Sequence, residues 1–220
     1  ESASNPYYLD MLNPASTDVL IREVYEPHYE RYVAGGEYAG TFCGFFSDEP
    51  RFHNGYNCGE LCCRNAYQST LGIEGMSYPW IYGFRQKFTP RELLSLWWDT
   101  GESTSEIRIA YMDAITAAYS ANFSGRLAAW CHARNITYCG HIIEDMGAHA
   151  RLGCSAGHYF RSQTGADYAA IDVVLHQIKP YYTKTHFAPI AGGYANPVFF
   201  DYTLAKLASS CARLYPEKNG

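Results

Sequence analysis

Two apolar runs in this chain each end abruptly in a pair of carboxylates. The first, Thr41-Phe42-Cys43-Gly44-Phe45-Phe46-Ser47, stops at Asp48-Glu49-Pro50. The second, Asn135-Ile136-Thr137-Tyr138-Cys139-Gly140-His141-Ile142-Ile143, stops at Glu144-Asp145. A carboxyl group pressed against Phe45, Phe46 and Phe52 has its charged form disfavoured, which is the usual way to make a general acid. A second acid pair offers an ionised partner, and His141 beside it could orient an acid or bind a hydroxyl. The bland alternative is two strand-to-loop turns with solvated acids.

Such chemistry needs elements that bring both runs to one side. Each run is too short for a helix and rich in β-formers, so each reads as a buried strand. Pro50 cannot donate to a ladder and constrains Glu49, which places Glu49 at the carboxyl end of its strand. A third strand is expected over Ile171–Ile178, with Asp172 near its start. Asn13-Pro14 opens a first helix, kinked at Pro27 and ended by Gly35-Gly36. A short helix starts after Thr89-Pro90. A long one, capped by Ser105, carries Ile107, Tyr111, Ile115, Ala118, Leu127 and Trp130, with Gly125 as a point of bend or break. The last helix runs through Leu204, Leu207, Ala208 and Cys211.

Strands alternating with helices imply a parallel sheet, and parallel strands share a carboxyl end. The expected fold class is α/β, a TIM-type (β/α)8 barrel, with residues 1–220 forming part of a single domain. A closed barrel typically needs about 250 residues, and more with excursions as long as 51–104 and 146–168. The start at Glu1 and the stop at Gly220 fit the middle of a longer polypeptide with units missing at both ends.

Composition narrows the partners. A formal charge of -5 and the lack of basic runs speak against nucleic acid or an anionic membrane. No apolar stretch approaches the roughly 20 residues of a membrane span, and the first residues show no signal peptide, which leaves localisation open. Aromatics make up 16%, including 20 tyrosines, whose apolar face and polar tip suit carbohydrate as well as ordinary interfaces. Cys58, Cys62 and Cys63 cluster with His53 as the nearest further zinc ligand. Free thiols or one local disulfide account for them better, and neither a metal nor another cofactor is expected. The sequons at Asn122 and Asn135 match common chance occurrences.

Several segments resemble one family: Tyr8-Leu9-Asp10-Met11-Leu12-Asn13-Pro14, Gly44-Phe45-Phe46-Ser47-Asp48-Glu49-Pro50, Tyr78-Pro79-Trp80, Gly140-His141-Ile142-Ile143-Glu144-Asp145, Gly157-His158-Tyr159-Phe160-Arg161 and Ile171-Asp172-Val173-Val174-Leu175-His176-Gln177. Their order and spacing are similar to bacterial glycosyl hydrolases of the α-L-rhamnosidase-like kind. The resemblance implies a barrel glycosidase in which Glu49, in the place of the Glu of an Asn-Glu-Pro sequence, is the acid/base. Asp48 stands where that Asn would be. The partner carboxylate is either Glu144 or a residue beyond Gly220. Asp48, Trp80, His141, Asp145, His158, Arg161 and Asp172 are the candidate substrate-binding residues, and an oligosaccharide or glycoside is the implied substrate.

Each has an ordinary alternative: a packed histidine for His141, a helix cap for Asp145 or Asp172, a buried Trp80, a structural ion pair for Arg161. Two other classes compete with the glycosidase, a non-catalytic carbohydrate-binding domain and, ranked last, a metal-dependent hydrolase.

Overall fold

The computed structural model describes residues 9–36, 38, 40–50, 71–72, 78–142, 156–173, 189–190, 193–194 and 202–215. The first helix, α1 (14–34), opens where its capping residues place it. The Asn13 side chain accepts from the Ala15 N–H at 3.1 Å, and Pro14 occupies a first-turn position that needs no donor. Gly35 and Gly36 end it, Gly36 at φ 78°. The expected kink at Pro27 is absorbed differently. The α-helical turn Glu26–Tyr29 that holds Pro27 lies between two π-helical turns, Ile21–Tyr25 and Glu30–Ala34. A wider turn before the proline leaves room for a ring that would clash in a regular α-helix.

Two short helices follow, α2 (Phe84–Lys87) and α3 (Pro90–Leu94). A capping box starts α3: Glu92 N–H donates to Thr89 Oγ1 at 3.2 Å, and Thr89 N–H donates to Glu92 Oε2 at 2.6 Å. These Thr89 bonds hold the Glu92 carboxyl below its ordinary range.

The central helix, α4 (104–132), begins at Thr104, one residue before the expected cap. The Thr104 hydroxyl bonds to Asp99 at 3.0 Å and so serves the preceding loop. At Ser120–Ser124 the helix widens into a π turn directly before Gly125, the predicted point of bend or break. Ile107, Tyr111, Ile115, Tyr119, Phe123, Leu127 and Cys131 form its buried stripe.

Strand β1 (Gly44–Ser47) pairs in parallel with β2 (Thr137–Gly140), in the register Gly44↔Thr137 to Ser47↔Gly140. Glycine permits the close approach at both ends. A Cβ on Gly44 would run into the Thr137 carbonyl oxygen, and one on Gly140 into that of Ser47. The sheet is pinned to the helices by aromatics. Tyr25 of α1 stacks on Phe45 with centroids 4.1 Å apart and meets the edge of Trp130 of α4 at 5.7 Å. On the far side of β2, Asp167 stands in for a strand: its N–H donates to the Tyr138 carbonyl at 2.8 Å, and its side chain accepts from the Tyr138 N–H at 2.7 Å.

The remaining described elements are α5 (Tyr159–Ser162), the antiparallel pair β3 (Pro189–Ile190) and β4 (Gly193–Tyr194), and α6 (Leu204–Leu214).

This overturns the barrel. Among the described residues the parallel sheet has two four-residue strands and the rest is mainly helical, so the TIM-barrel assignment is not sustained. The apolar runs are longer than the strands they contain: pairing stops at Ser47 and Gly140, and the residues beyond serve side-chain contacts. The third expected strand is not formed over 171–173, and 174–178 lies outside the described residues.

Candidate functional site

Because β1 and β2 are parallel, their carboxyl ends open on the same side. One step past the ladder, Asp48 follows Ser47 and His141 follows Gly140. A side-chain bond continues the pairing there, with His141 Nε2 donating to Asp48 Oδ1 at 2.9 Å. Nδ1 of the same ring bonds to the Ile142 carbonyl at 2.8 Å. His141 is only 5% exposed, whereas the Asp48 side chain is 76% exposed.

Glu49 comes next, half-buried, with φ 39°. That left-handed backbone is uncommon for any side chain but glycine, and a following proline favours extended geometry instead. Such strain costs on the order of 1–3 kcal/mol and persists where the surroundings over-determine it, often at functional sites. Here Glu49 lies between the tethered Asp48 and the buried Pro50.

Asp172 approaches from the segment after α5. One potential ligating atom from each of Glu49, His141 and Asp172 falls within 4.8 Å of the other two. Two carboxyl groups and an imidazole therefore share one small volume. Such a group can transfer a proton to a bound substrate, oppose developing positive charge, or ligate a divalent cation. Against the cation, both His141 ring nitrogens already face oxygen acceptors.

His141 also lines a small, partly open cleft together with Ser47, Tyr119, Ser124, Tyr138, Ser162 and Gln163. Gln163 donates from Nε2 to the Gly140 carbonyl at 3.2 Å, which holds the end of β2 from beneath. Burial pushes the Tyr138 hydroxyl well above its ordinary pKa, partly offset by its bond to Ser47. These cleft residues carry no signal in sequence patterning, apart from Ser47 as the polar exception in an aromatic run.

Of the expected site residues, Glu49, His141 and Asp172 are brought together, with Asp48 attached through His141. Glu144 and Asp145 lie outside the described residues, so the expected Glu49–Glu144 pair does too. Trp80 packs edge-on against Phe84 at 5.3 Å. His158 caps α5, its Nδ1 accepting from the Arg161 N–H at 3.4 Å. Arg161 pairs with Asp113 of α4, the structural role that was its alternative. His53, Cys58, Cys62 and Cys63 lie outside the described residues. Cys43, Cys131 and Cys139 are free thiols, and burial pushes that of Cys131 up to about 12.

Compared with known protein families, curated proteins and solved structures, the chain matches none of them.

Proposed function

We propose that this chain is a glycoside hydrolase whose working carboxyl groups are Glu49 and Asp172. The observation that carries the reading is their convergence, with His141, within 4.8 Å at the shared carboxyl end of β1 and β2. Carboxyl groups lie about 5–5.5 Å apart in retaining glycosidases and about 6.5–9.5 Å apart in inverting ones. The close approach here favours the retaining arrangement. The resemblance at Gly44–Pro50 supplies the assignment of Glu49 as the acid/base.

In this reading Glu49 delivers a proton to the glycosidic oxygen as the bond to the leaving group breaks. Asp172, ionised, attacks the anomeric carbon and forms a glycosyl-enzyme. Glu49, now a base, takes a proton from water, and that water releases the sugar from Asp172. The substrate class is an uncharged glycoside, in keeping with the acidic net charge and the tyrosine-rich composition. No helix among the described residues is long and apolar enough to cross a membrane.

A second reading rests on the same three residues: a divalent cation held by Glu49, His141 and Asp172 in a metal-assisted hydrolase. It ranks lower because His141 would have to give up the Asp48 or the Ile142 contact to supply a lone pair. Turnover of aryl glycosides before and after chelation separates the readings. The carboxyl-pair mechanism expects unchanged rates in chelator; activity lost in chelator and restored by one divalent ion would replace it with the second. A purified protein that binds oligosaccharide without turnover would instead be a carbohydrate-binding domain.

A further inference from the structure

We infer that Asp48 is a positioning residue that sets the ring of His141 and the backbone of Glu49, and that it does not bind the sugar. The inference rests on the glycosidase reading and gives Asp48 a different task from the substrate contact implied by the resemblance. Asp48 is absent from the set of converging atoms, which comprises Glu49, His141 and Asp172. Its bond goes to His141 Nε2 at 2.9 Å. With Nδ1 held at 2.8 Å by the Ile142 carbonyl, the ring is gripped at both nitrogens, which fixes its tilt as well as its rotation. The Phe46 ring, with its centroid 6.0 Å from that of His141, adds a contact from β1.

The same bond acts on the chain. Asp48 is the residue before Glu49, so tying it to a buried histidine anchors the peptide that enters the left-handed turn. Pro50, buried, anchors the exit. A strained residue keeps its geometry only when both sides are held. Removing the Asp48 carboxylate frees the His141 ring and one of these two anchors together, while the substrate contacts of Glu49 and Asp172 are not directly touched.

The test is a kinetic cycle on the full chain with an aryl glycoside, using Asp48→Ala, Asp48→Asn, His141→Ala and the Asp48→Ala/His141→Ala double variant. Removing outer partners that orient a metal-bound histidine commonly lowers affinity or activity by about 10–100-fold. A drop of that size in kcat is expected for Asp48→Ala, with KM moving less than about twofold. Asp48→Asn, whose amide oxygen still accepts from Nε2–H, should recover most of the rate. In the His141→Ala background Asp48→Ala should cost less than about twofold further, because independent sites multiply and coupled ones do not. A rise in KM with kcat intact, or effects that multiply in the double variant, overturns the inference.

The ring nitrogen NMR signals of His141 give a readout free of catalysis. They should shift in Asp48→Ala and stay near the parent values in Asp48→Asn; unchanged signals in Asp48→Ala overturn the tether. A parent protein that turns over no glycoside defeats the glycosidase reading, while the ring signals still decide the tether.

Discussion

The carboxyl ends of β1 and β2 lie side by side and are built in opposite ways. Past β2, His141 and Ile142 are buried, and His141 bonds to the Ile142 carbonyl. Past β1, Asp48 is exposed and Glu49 is strained before Pro50 settles back into the interior. The cause is in their neighbours. Strand β2 has β1 on one edge and the Asp167 backbone on the other, with Gln163 bonded to its last carbonyl. Among the described residues β1 has β2 alone as a strand partner. The well-held end supplies a fixed reference group, and the loosely held end carries the residue assigned to proton transfer. Rigidity on one strand makes strain on the other sustainable.

The largest effect expected from this contrast is on catalysis. Glu49→Gln should lower turnover of glycosides with poor leaving groups by about 10²–10⁴-fold, the usual contribution of a general acid. Activated aryl glycosides should lose much less, since their leaving groups need no proton. Equal losses on both substrate types would remove Glu49 from the acid role and with it the functional half of the comparison.

Next comes the pairing itself. Gly44→Ala puts a methyl group against the Thr137 backbone, and overpacking of this kind typically costs about 1–3 kcal/mol. The urea midpoint should fall accordingly, and Gly140→Ala should behave alike from the other strand. Unchanged midpoints would mean that the two ends are not held together as described.

A smaller and opposite effect is expected at Glu49. Replacing it with glycine relieves the left-handed backbone and should raise stability by about 1 kcal/mol while abolishing acid catalysis. A lower melting temperature for Glu49→Gly would show that the strain is not there to be relieved.

The smallest effect lies away from the site, where Asp18 of α1 meets Arg126 of α4. The Arg126 hydrogen bond holds the Asp18 carboxyl below its ordinary value, on an exposed surface. A depressed folded-state pKa gives stabilisation that is present above the unfolded value and is lost as pH falls through the folded one. Asp18→Asn should therefore lower the urea midpoint slightly at neutral pH, and the gap from the parent should close as pH falls through and below the usual aspartate range; a gap that stays constant with pH would mean that the pair is not what holds the carboxyl down.

What could be read from sequence follows the reach of each interaction. Asn13-Pro14, Gly35-Gly36 and Thr89-Pro90 act on their own backbone neighbourhoods, so the helix ends they mark were legible. The two apolar runs were rightly placed as parallel strands, because period and composition are local. Their extent was not legible, since pairing ends where His141 turns to Asp48, 93 residues away in sequence. Asp167 filling a strand position with its side chain leaves no periodic trace, and extending two short parallel strands to a closed barrel is the step that the described residues overturn. Asp172 was visible as a candidate, yet its approach to Glu49 depends on a chain path that no local pattern encodes. His158 has a local partner in α5 and Arg161 a partner 48 residues away in α4, and nothing in their spacing separates such roles from substrate contacts.

The π turn in α4 sets the angular phase of the helix. The buried residues from Ile107 to Cys131 recur every fourth position, and in a regular α-helix that spacing drifts around the axis by about 40° per step. Left uncorrected, the drift would carry Leu127 and Cys131 well away from the face that buries Tyr111. The wider turn at Ser120–Ser124 takes back part of this rotation, so both halves of the helix address the same core. Its length is therefore a timing element. Deleting one residue there would turn 125–132 by about 100°, leaving the composition of the core nearly unchanged while misaligning one end of it.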